Sequence, residues 1–327
     1  MSSHAESGPG QRGPSQPAHE QPWSPRPGQP FLRRGAQQAG ISDDHLAGPG
    51  FRAIFRGVHV TADVPITLTL RAQAALTAAP AGAMISHHTA AKLWGGVVPD
   101  TSAVHVSIPP GTSFSRAGVI VHRPHTLPAV GTRRRVRVTR PEETFLACAA
   151  YLALVELVVL GDSLVGAGAT TAEALITAAA HRRGRGTRLA RSAAALVRRG
   201  VDSPPETRLR LLLCLAGLPE PEVDHRIYSE VGQLLYRFDL SYPQIKLAIE
   251  YDGRHHERDP YRGRDLLRRE DLEADGWAFV VVVTEHLNGT PGDVLARVAR
   301  VMQRRGMPVP RLSERWRQHF SQRERPA

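Results

Sequence analysis

Hydrophobic and polar positions in the last third of the chain follow the pattern of a mixed α/β domain. A helix is predicted to begin at Ser203-Pro-Pro-Glu206, where a serine cap, prolines in the first turn and a glutamate form a capping box. Two apolar runs, 230–240 and 245–251, predict paired strands, and the charged segment 263–274 predicts a second helix. The valine-rich run 277–284 predicts a strand buried on both faces. This order predicts a mixed sheet flanked by helices, in the α/β or α+β class.

The middle of the chain has a mixed pattern that becomes helical toward its end. Alternation over 51–60, interrupted at Gly57, predicts a β-hairpin. Ser86 is the expected N-cap of a helix that ends at Trp94. Short apolar runs predict strands at 104–108, 118–122 and 134–139. Helices are predicted at 141–154, 155–166, 171–181 and 188–198.

Composition divides the chain into four parts. Residues 1–40 are rich in Pro, Gly, Gln and Ser, and such a segment cannot bury enough apolar surface to offset its ordering entropy, so a disordered tail is predicted. Residues 41–200 form the mostly helical middle region with a small winged-helix-like part. Residues 201–306 form the C-terminal domain, and 307–327 form a basic tail.

The charge balance indicates a polyanionic partner. Lys and Arg number 42 against 31 Asp and Glu, which leaves a formal net charge of +11. A basic surface favours nucleic acid, with DNA the first candidate. The alternative is a basic proteome that prefers arginine, in which case the charge carries no functional meaning.

The sequence also indicates the compartment. It has neither a secretory signal pattern nor an apolar run long enough to span a membrane, so a cytoplasmic protein without a membrane partner is expected. The two cysteines, Cys148 and Cys214, lie among apolar residues of predicted helices. They are expected to be buried thiols, and they are too few for a multi-cysteine zinc site.

Three carboxylates mark the strongest candidate for chemistry. Glu250 and Asp252 close the second strand of the predicted pair and point to the same face, and a hairpin would bring Asp239 beside them. Carboxylates crowded at the end of a sheet repel one another unless a divalent cation holds them, and oxygen ligands suit Mg²⁺ or Mn²⁺. The alternative is that they form salt bridges with Arg237, Arg254 or Arg258.

Other side chains near this segment are weaker candidates. His256 follows the Asp-Gly turn and is a candidate general acid or base, although its neighbour His255 is an equal choice. Glu206 is a further candidate, and its role in the capping box is a sufficient alternative explanation. Arg268 or Arg269 is a candidate contact to phosphate, although such mixed-charge helices usually form surface ion pairs.

The C-terminal segment resembles a known group of enzymes. The motifs Ser203-Pro-Pro-Glu-Thr-Arg-Leu-Arg210, Asp239, Glu250-Tyr-Asp-Gly-Arg-His-His256 and Gly276-Trp277 resemble the very-short-patch-repair-like branch of the restriction-endonuclease-like superfamily. The resemblance implies a mixed sheet flanked by helices and hydrolysis of phosphodiester bonds with a divalent metal.

The resemblance also implies roles for individual residues. Asp239 and Glu250 match the core acidic pair, and Glu206 matches the acidic residue of the first helix. Asp252 and His256 match the E-x-D-G-x-x-H stretch. Asp252 occupies the position of the lysine usual in the superfamily, and the repair-like branch also lacks that lysine and relies on histidine.

The middle region resembles abortive-infection-type antitoxins. The matching segments are Arg56-Gly-Val-His-Val60, Ser86-His-His-Thr-Ala-Ala-Lys-Leu-Trp-Gly95, Val104-His-Val-Ser-Ile108 and Val138-Thr-Arg-Pro-Glu-Glu-Thr144. The resemblance implies a winged helix-turn-helix that binds DNA.

Two functional hypotheses follow, together with a blander one. The first is a metal-dependent DNA endonuclease of repair or phage defence, in which Arg133, Arg134 and Arg135 contact the DNA backbone without reading sequence. The second is a non-catalytic antitoxin-like regulator with a toxin, or a second copy of the chain, as partner. The third is a protein–protein scaffold, whose binding would be insensitive to salt.

Overall fold

The computed structural model describes residues 24–253 and 269–320. Over these residues the chain forms three β-sheets surrounded by helices, so the mixed α/β class predicted from the sequence is confirmed. Within the described ranges, no helix combines the length and the apolar character needed to cross a membrane.

A small three-stranded sheet with two short helices begins the fold. Its elements are β1 (Phe31–Leu32), α1 (Arg33–Gln38), α2 (Asp43–Ala47), β2 (Phe51–Phe55) and β3 (Val58–Thr61), with the strand order β1-β3-β2. The predicted hairpin is confirmed, and Gly57 turns it with φ +73°, where glycine is favoured. The predicted tail over 1–40 extends too far, because Phe31 and Ala36 are buried in the core of this unit.

A five-stranded sheet follows. Its unit contains α3 (Leu68–Ala78), β4 (Met84–Ile85), α4 (His87–Leu93), β5 (Val104–Ser107), β6 (Val119–His122), β7 (Val130–Arg133) and β8 (Val136–Thr139), in the order β6-β5-β4-β8-β7. The three strands predicted here correspond to β5, β6 and β8. Strands β4 and β7 were not predicted, because β4 has two residues and β7 is too exposed to show an alternating pattern.

The four helices predicted after residue 140 are all present. They are α5 (Pro141–Cys148), α6 (Leu154–Gly166), α7 (Ala172–His181) and α8 (Thr187–Leu196). The first ends earlier than predicted, at Cys148, and a turn with the exposed Tyr151 separates it from α6. Helix α6 is central, since most of its residues are buried on all sides.

The C-terminal unit is a four-stranded mixed sheet with helices. It contains α9 (Pro204–Leu215), β9 (Glu222–Tyr228), β10 (Leu234–Tyr242), β11 (Leu247–Asp252), α10 (described over 269–274), β12 (Ala278–Val283), α11 (Thr284–Gly289) and α12 (Pro291–Arg304). The strand order is β12-β11-β10-β9, and only the β11–β12 pair is parallel. The predicted paired strands are β10 and β11, whereas β9, α11 and α12 were not predicted.

Helices cover both faces of this sheet, as the sequence predicted. Residues Leu240 and Ile249 face one side, where they join the core that includes α9 and α12. Phe238, Ala248 and Trp277 face the other side, where Leu272 of α10 packs on them. Ser203 caps α9 as expected, and its Oγ accepts from the Glu206 N–H at 3.4 Å.

One hydrophobic core crosses the predicted boundary at residues 200–201. It runs from α5 and α6 through α9 to β10, β11 and β12, so the helical region and the C-terminal sheet are not separate cores. The segment after residue 306 also belongs to it, contrary to the predicted basic tail. Trp316 and Phe320 are buried in this core, and the Ser313 N–H donates to the Ala216 carbonyl at 2.8 Å.

A buried ion pair joins the helical region to the C-terminal unit. Arg210 of α9 is fully buried, and its guanidinium donates to Asp162 of α6 at 3.0 Å and to the Leu196 carbonyl of α8 at 2.8 Å. Asp162 also accepts from the Thr207 hydroxyl at 2.9 Å and from the Arg198 N–H at 2.8 Å. The carboxylate is therefore saturated by donors from α9 and from the end of α8.

We expect Arg210→Met to lower the free energy of unfolding by about 3–5 kcal/mol, because it leaves the Asp162 carboxylate buried without its cation. The measurement is urea unfolding followed by circular dichroism. Arg208→Met is the matched control on the same helix, since its ion pair with Glu156 is partly exposed and contributes roughly 0–1 kcal/mol. Equal losses in the two variants would contradict the special role of the buried pair.

Candidate functional site

The β10–β11 hairpin brings Asp239 next to the end of β11, as the sequence predicted. The antiparallel register pairs Leu240 with Ile249, and Asp239 and Glu250 are the next residues along the two strands. The Asp239 side chain also bonds directly to β11, because its carboxylate Oδ2 accepts a hydrogen bond from the Tyr251 N–H at 3.0 Å. That bond fixes the carboxylate against β11.

Glu250 and Asp252 lie at the C-terminal end of β11. The Tyr236 hydroxyl of β10 donates to Glu250 Oε1 at 2.7 Å, so the half-buried carboxylate is held from the neighbouring strand. Asp252 is exposed and is the last residue of β11, beside Val283 of β12 in the parallel register. The carboxylates therefore range from enclosed to solvent-facing.

Glu206 approaches from the first turn of α9 and is buried. Its Oε2 accepts from the Asp202 N–H at 3.0 Å, and its Oε1 accepts from the Ser203 hydroxyl at 2.6 Å. Both oxygens thus serve the helix start, as the capping-box explanation requires. The same bonds hold a negative charge in a fixed place beside the sheet.

The three enclosed carboxylates influence one another. Burial, together with the nearby charges of Glu206 and Glu250, raises the pKa of Asp239 to about 6, against the opposing effects of the Tyr251 hydrogen bond and the charge of Arg237. Arg237 makes its ion pairs with Asp202 and Asp224 rather than with Asp239. The structure therefore does not show the alternative in which Arg237 forms a direct salt bridge with Asp239.

The oxygen atoms of these carboxylates lie farther apart than the ligand atoms of a compact three-ligand metal site. Over residues 24–253 and 269–320, three ligand atoms from His, Cys, Asp or Glu lie within 4.8 Å of one another only at His87, His105 and His122. A wider carboxylate group remains compatible with Mg²⁺, which usually keeps several waters and takes one or two protein carboxylates.

Part of the predicted constellation lies outside the described residues. His256, its neighbour His255, and Arg268 all belong to the segment 254–268. Arg269 is described, and its Nε donates to Glu273 at 3.1 Å while its guanidinium lies 4.6 Å from the centre of the Phe279 ring. This is the i,i+4 ion pair that the sequence offered as the alternative to a phosphate contact.

The arginines predicted to contact DNA form the tip of the β7–β8 hairpin. Arg134 and Arg135 have φ values of 48° and 61°, so they form a tight two-residue turn and both are exposed. Arg133 lies 5.6 Å from the centre of the Trp94 ring. The hairpin therefore presents two exposed positive side chains at its turn.

The N-terminal unit gives little support to a DNA-reading helix. Helix α2 has five residues, and its first turn contains Asp43 and Asp44. Asp43 pairs with Arg33 and accepts from Gln37 at 2.9 Å. Acidic residues at this position would repel phosphate, so α2 is a poor candidate for a recognition helix.

A histidine cluster in the five-stranded sheet was not predicted. His87 begins α4, and His105 and His122 come from the neighbouring strands β5 and β6. The His105 Nδ1 and His122 Nε2 atoms are 3.0 Å apart, and the rings of His87 and His122 stack with centroids 3.5 Å apart. Their spacing along the chain is too wide for a metal-binding motif, and only the parallel pairing of β5 with β6 brings them together.

Ser86 is the N-cap residue of α4, as the sequence predicted, but its side chain makes no capping hydrogen bond. The side chain contacts this cluster instead. Its Oγ accepts from the Ser107 hydroxyl at 2.9 Å and lies 2.9 Å from His87 Nδ1. His87, the first residue of α4, has a positive φ of 50°, unlike an ordinary first helical residue. This backbone conformation accounts for the absence of a side-chain capping bond from Ser86.

Comparisons with known proteins give relatives without an assigned activity. No family model matches the chain. Two proteins of Mycobacterium tuberculosis, "Uncharacterized protein MT2308" of strain CDC 1551 / Oshkosh and "Uncharacterized protein Rv2248" of strain ATCC 25618 / H37Rv, are each 29% identical over 225 residues, covering 67% of this chain and 81% of theirs. Among solved structures, "Crystal structure of RV2827C protein from Mycobacterium tuberculosis" aligns with a TM-score of 0.34 and 13% identity, over 61% of this chain and 83% of that one.

The raised pKa of Asp239 predicts a pH-dependent stability. Its pKa of about 6 in the folded state exceeds the ordinary value of 3.8, so the folded protein binds the proton more tightly and loses stability as pH rises from about 4 to about 6. Asp239→Asn removes this loss and keeps an acceptor for the Tyr251 N–H. We expect the variant to be more stable than the wild type at pH 7.5, by roughly 2–3 kcal/mol at most.

The measurement is urea unfolding of both proteins at pH 7.5 and pH 4.5 in the presence of EDTA. The advantage of Asp239→Asn should shrink toward the lower pH, because the wild-type carboxyl is then protonated. A difference that is the same at both pH values would contradict the assignment of the raised pKa to Asp239.

Proposed function

We propose that this chain is a divalent-metal-dependent DNA endonuclease that hydrolyses phosphodiester bonds, with its site at Asp239, Glu250 and Asp252. The observation that carries the proposal is that the partly buried Asp239 lies close enough to Glu206 and Glu250 to feel their charges, while Arg237 pairs with Asp202 and Asp224. Like charges crowded in a partly buried site are costly without a counter-ion. A divalent cation is the simplest counter-ion for such a group.

The donor set favours Mg²⁺ or Mn²⁺. All candidate ligands are carboxylate oxygens, which hard divalent cations prefer, and Asp252 is exposed in the described part of the chain. When bound, such an ion lowers the pKa of a coordinated water and neutralises charge that develops on a phosphate. Asp239, Glu250 and Asp252 are the residues that would hold it.

The surrounding residues position these ligands. The Tyr251 N–H orients Asp239, and the Tyr236 hydroxyl holds Glu250 from the adjacent strand. Two carboxylates fixed by bonds from a sheet change their geometry little when an ion or substrate binds, which is the preorganisation that metal sites require. Glu206 contributes negative charge from the helix start, where its own bonds hold it in place.

DNA is the proposed substrate because of the charge and the resemblance together. The net charge of +11 favours a polyanion, and the exposed Arg134 and Arg135 offer contacts to phosphate. The proposed proton carrier is His256, which follows Asp252 along the chain. The contacts of Arg134 and Arg135 would position the DNA backbone and would not read its sequence.

We expect Glu250→Gln to abolish cleavage, by at least about 100-fold, because it removes a charged ligand from the metal while leaving an acceptor for Tyr236. The measurement is nicking of supercoiled plasmid and of mismatched duplexes with Mg²⁺ or Mn²⁺. Glu222→Gln, in the same sheet, is the matched control, since its exposed carboxylate pairs with His225 and should be dispensable.

The alternative function makes a different prediction in the same assay. A non-catalytic antitoxin-like regulator would bind DNA in a sequence-dependent manner and would leave all substrates intact with either metal. Cleavage that persists unchanged in Glu250→Gln would instead indicate a contaminating nuclease and would contradict the proposed site.

The arginine hairpin predicts a change in the salt dependence of DNA binding. Asn tolerates positive φ, so Arg134→Asn with Arg135→Asn keeps the turn and removes two charges. We expect weaker binding and a slope of log affinity against log salt that is smaller by about 1–2, because fewer counter-ions are released. Fluorescence anisotropy with a labelled duplex measures both.

The control is Arg311→Asn, which removes one exposed charge from the C-terminal segment. It should leave the slope within error of the wild type. If the hairpin variant binds DNA with an unchanged slope, the predicted phosphate contacts are elsewhere on the molecule.

A further inference from the structure

A set of imidazoles lies between β5, β6 and the start of α4, away from the carboxylates of the C-terminal sheet. His87 and His105 are buried, and His122 is partly exposed, which gives the cluster one side open to solvent. One ligand atom from each of the three rings lies within 4.8 Å of the other two. The cluster is therefore compact and reachable.

The spacing suits a transition metal held by nitrogen. Zinc–nitrogen bonds of about 2.0–2.1 Å in a tetrahedral arrangement place ligand nitrogens about 3.3 Å apart. The His105 Nδ1 and His122 Nε2 atoms are already 3.0 Å apart, and the ring of His87 lies directly against that of His122. Shared coordination of one ion would require the stacked side chains to rotate from this arrangement.

The three rings lie in poorly solvated surroundings. Burial lowers the pKa of His87 to about 2, and burial also lowers the pKa values of His105 and His122 to about 4, with their neighbouring histidines adding to the effect.

Polar groups behind the rings fix their orientation. Ser107 donates to Ser86, which in turn contacts His87 Nδ1 at 2.9 Å. The Tyr151 hydroxyl lies 3.4 Å from His122 Nδ1. Metal-binding histidines commonly use their second nitrogen in this way. The positive φ of His87 adds a backbone strain that functional sites often retain.

We propose that His87, His105 and His122 bind one divalent transition-metal ion of the zinc class, with a fourth position left to water. Imidazole nitrogen favours Zn²⁺, Co²⁺, Ni²⁺ or Cu²⁺ over Mg²⁺, so this site differs in metal preference from the carboxylate group. The ion would tie α4 to the two strands, and its ligand His122 would connect it to Tyr151, in the turn between α5 and α6.

The test uses the full chain after removal of metal with EDTA, titrated with Co²⁺ as the probe. One equivalent should bind and give the visible absorption of nitrogen-coordinated, four- or five-coordinate Co²⁺, and Zn²⁺ should displace it. Zn²⁺ should also raise the midpoint of thermal unfolding in a concentration-dependent manner. Failure of the wild type to bind Co²⁺ would overturn the proposal and leave a core of stacked neutral imidazoles.

Variants assign the signal to the cluster. His122→Ala and the larger His122→Gln, at the partly exposed position, should each weaken Co²⁺ binding by more than about 100-fold. His125→Ala is the matched control, because His125 is exposed and three residues along the same segment. Circular dichroism checks that each variant is folded.

A Glu250→Gln variant separates this proposal from the endonuclease. It should keep the cobalt spectrum and the zinc-dependent stabilisation even if it loses cleavage. A spectrum that disappears in Glu250→Gln and survives in a folded His122 variant would place the ion at the carboxylates and overturn the histidine site. Failure of the nuclease assay alone would leave the histidine site standing.

Discussion

The buried pair of Arg210 with Asp162 is the constraint on which the arrangement of the C-terminal sheet depends. Its charges come from α9 and α6, and its remaining bonds reach the end of α8, so three helices meet at one saturated network. Ion pairs of this kind contribute little net stability, but losing one partner is costly, and they favour one packing over others. The first turn of α9 carries Glu206, so the position of this carboxylate follows from the same network.

The sequence predicted the parts of the fold in which local pattern and tertiary packing agree. The cap at Ser203, the hairpin at Gly57 and the meeting of Asp239 with β11 all depend on short-range signals, and they are present. Segments were misjudged where composition and packing disagree. The polar stretch around α1 and the arginine-rich segment after residue 306 each bury one or two aromatic residues, and composition averaged over the segment hides them.

Other features were beyond a local reading because they depend on long-range pairing. The core shared by α6, α9 and β11 combines residues far apart in the chain, so no change in composition marks where one unit ends. His87, His105 and His122 are separated in sequence and meet only through the order of the five strands. The available signal was one histidine in each of two neighbouring strands, His105 and His122, and this signal is weak without the topology.

The two candidate metal sites differ in chemistry and in what they require of the fold. The carboxylates of β10 and β11 repel one another, so ion binding there would relieve an existing cost. The histidines are neutral and already in contact, so binding there would exchange ring contacts for coordination bonds. The same ion would therefore affect the two sites differently, and its charge would matter mainly at the carboxylate site.

The burial of Trp316 and Phe320 beside α9 has a consequence for synthesis on the ribosome. Helix α9 emerges early, but the aromatic rings that complete its core follow roughly 100 residues later, about 5–20 s at ordinary elongation rates. During that interval the leucine-rich side of α9 is exposed to chaperones. The core between α9 and the sheet is thus completed only after translation has passed residue 320.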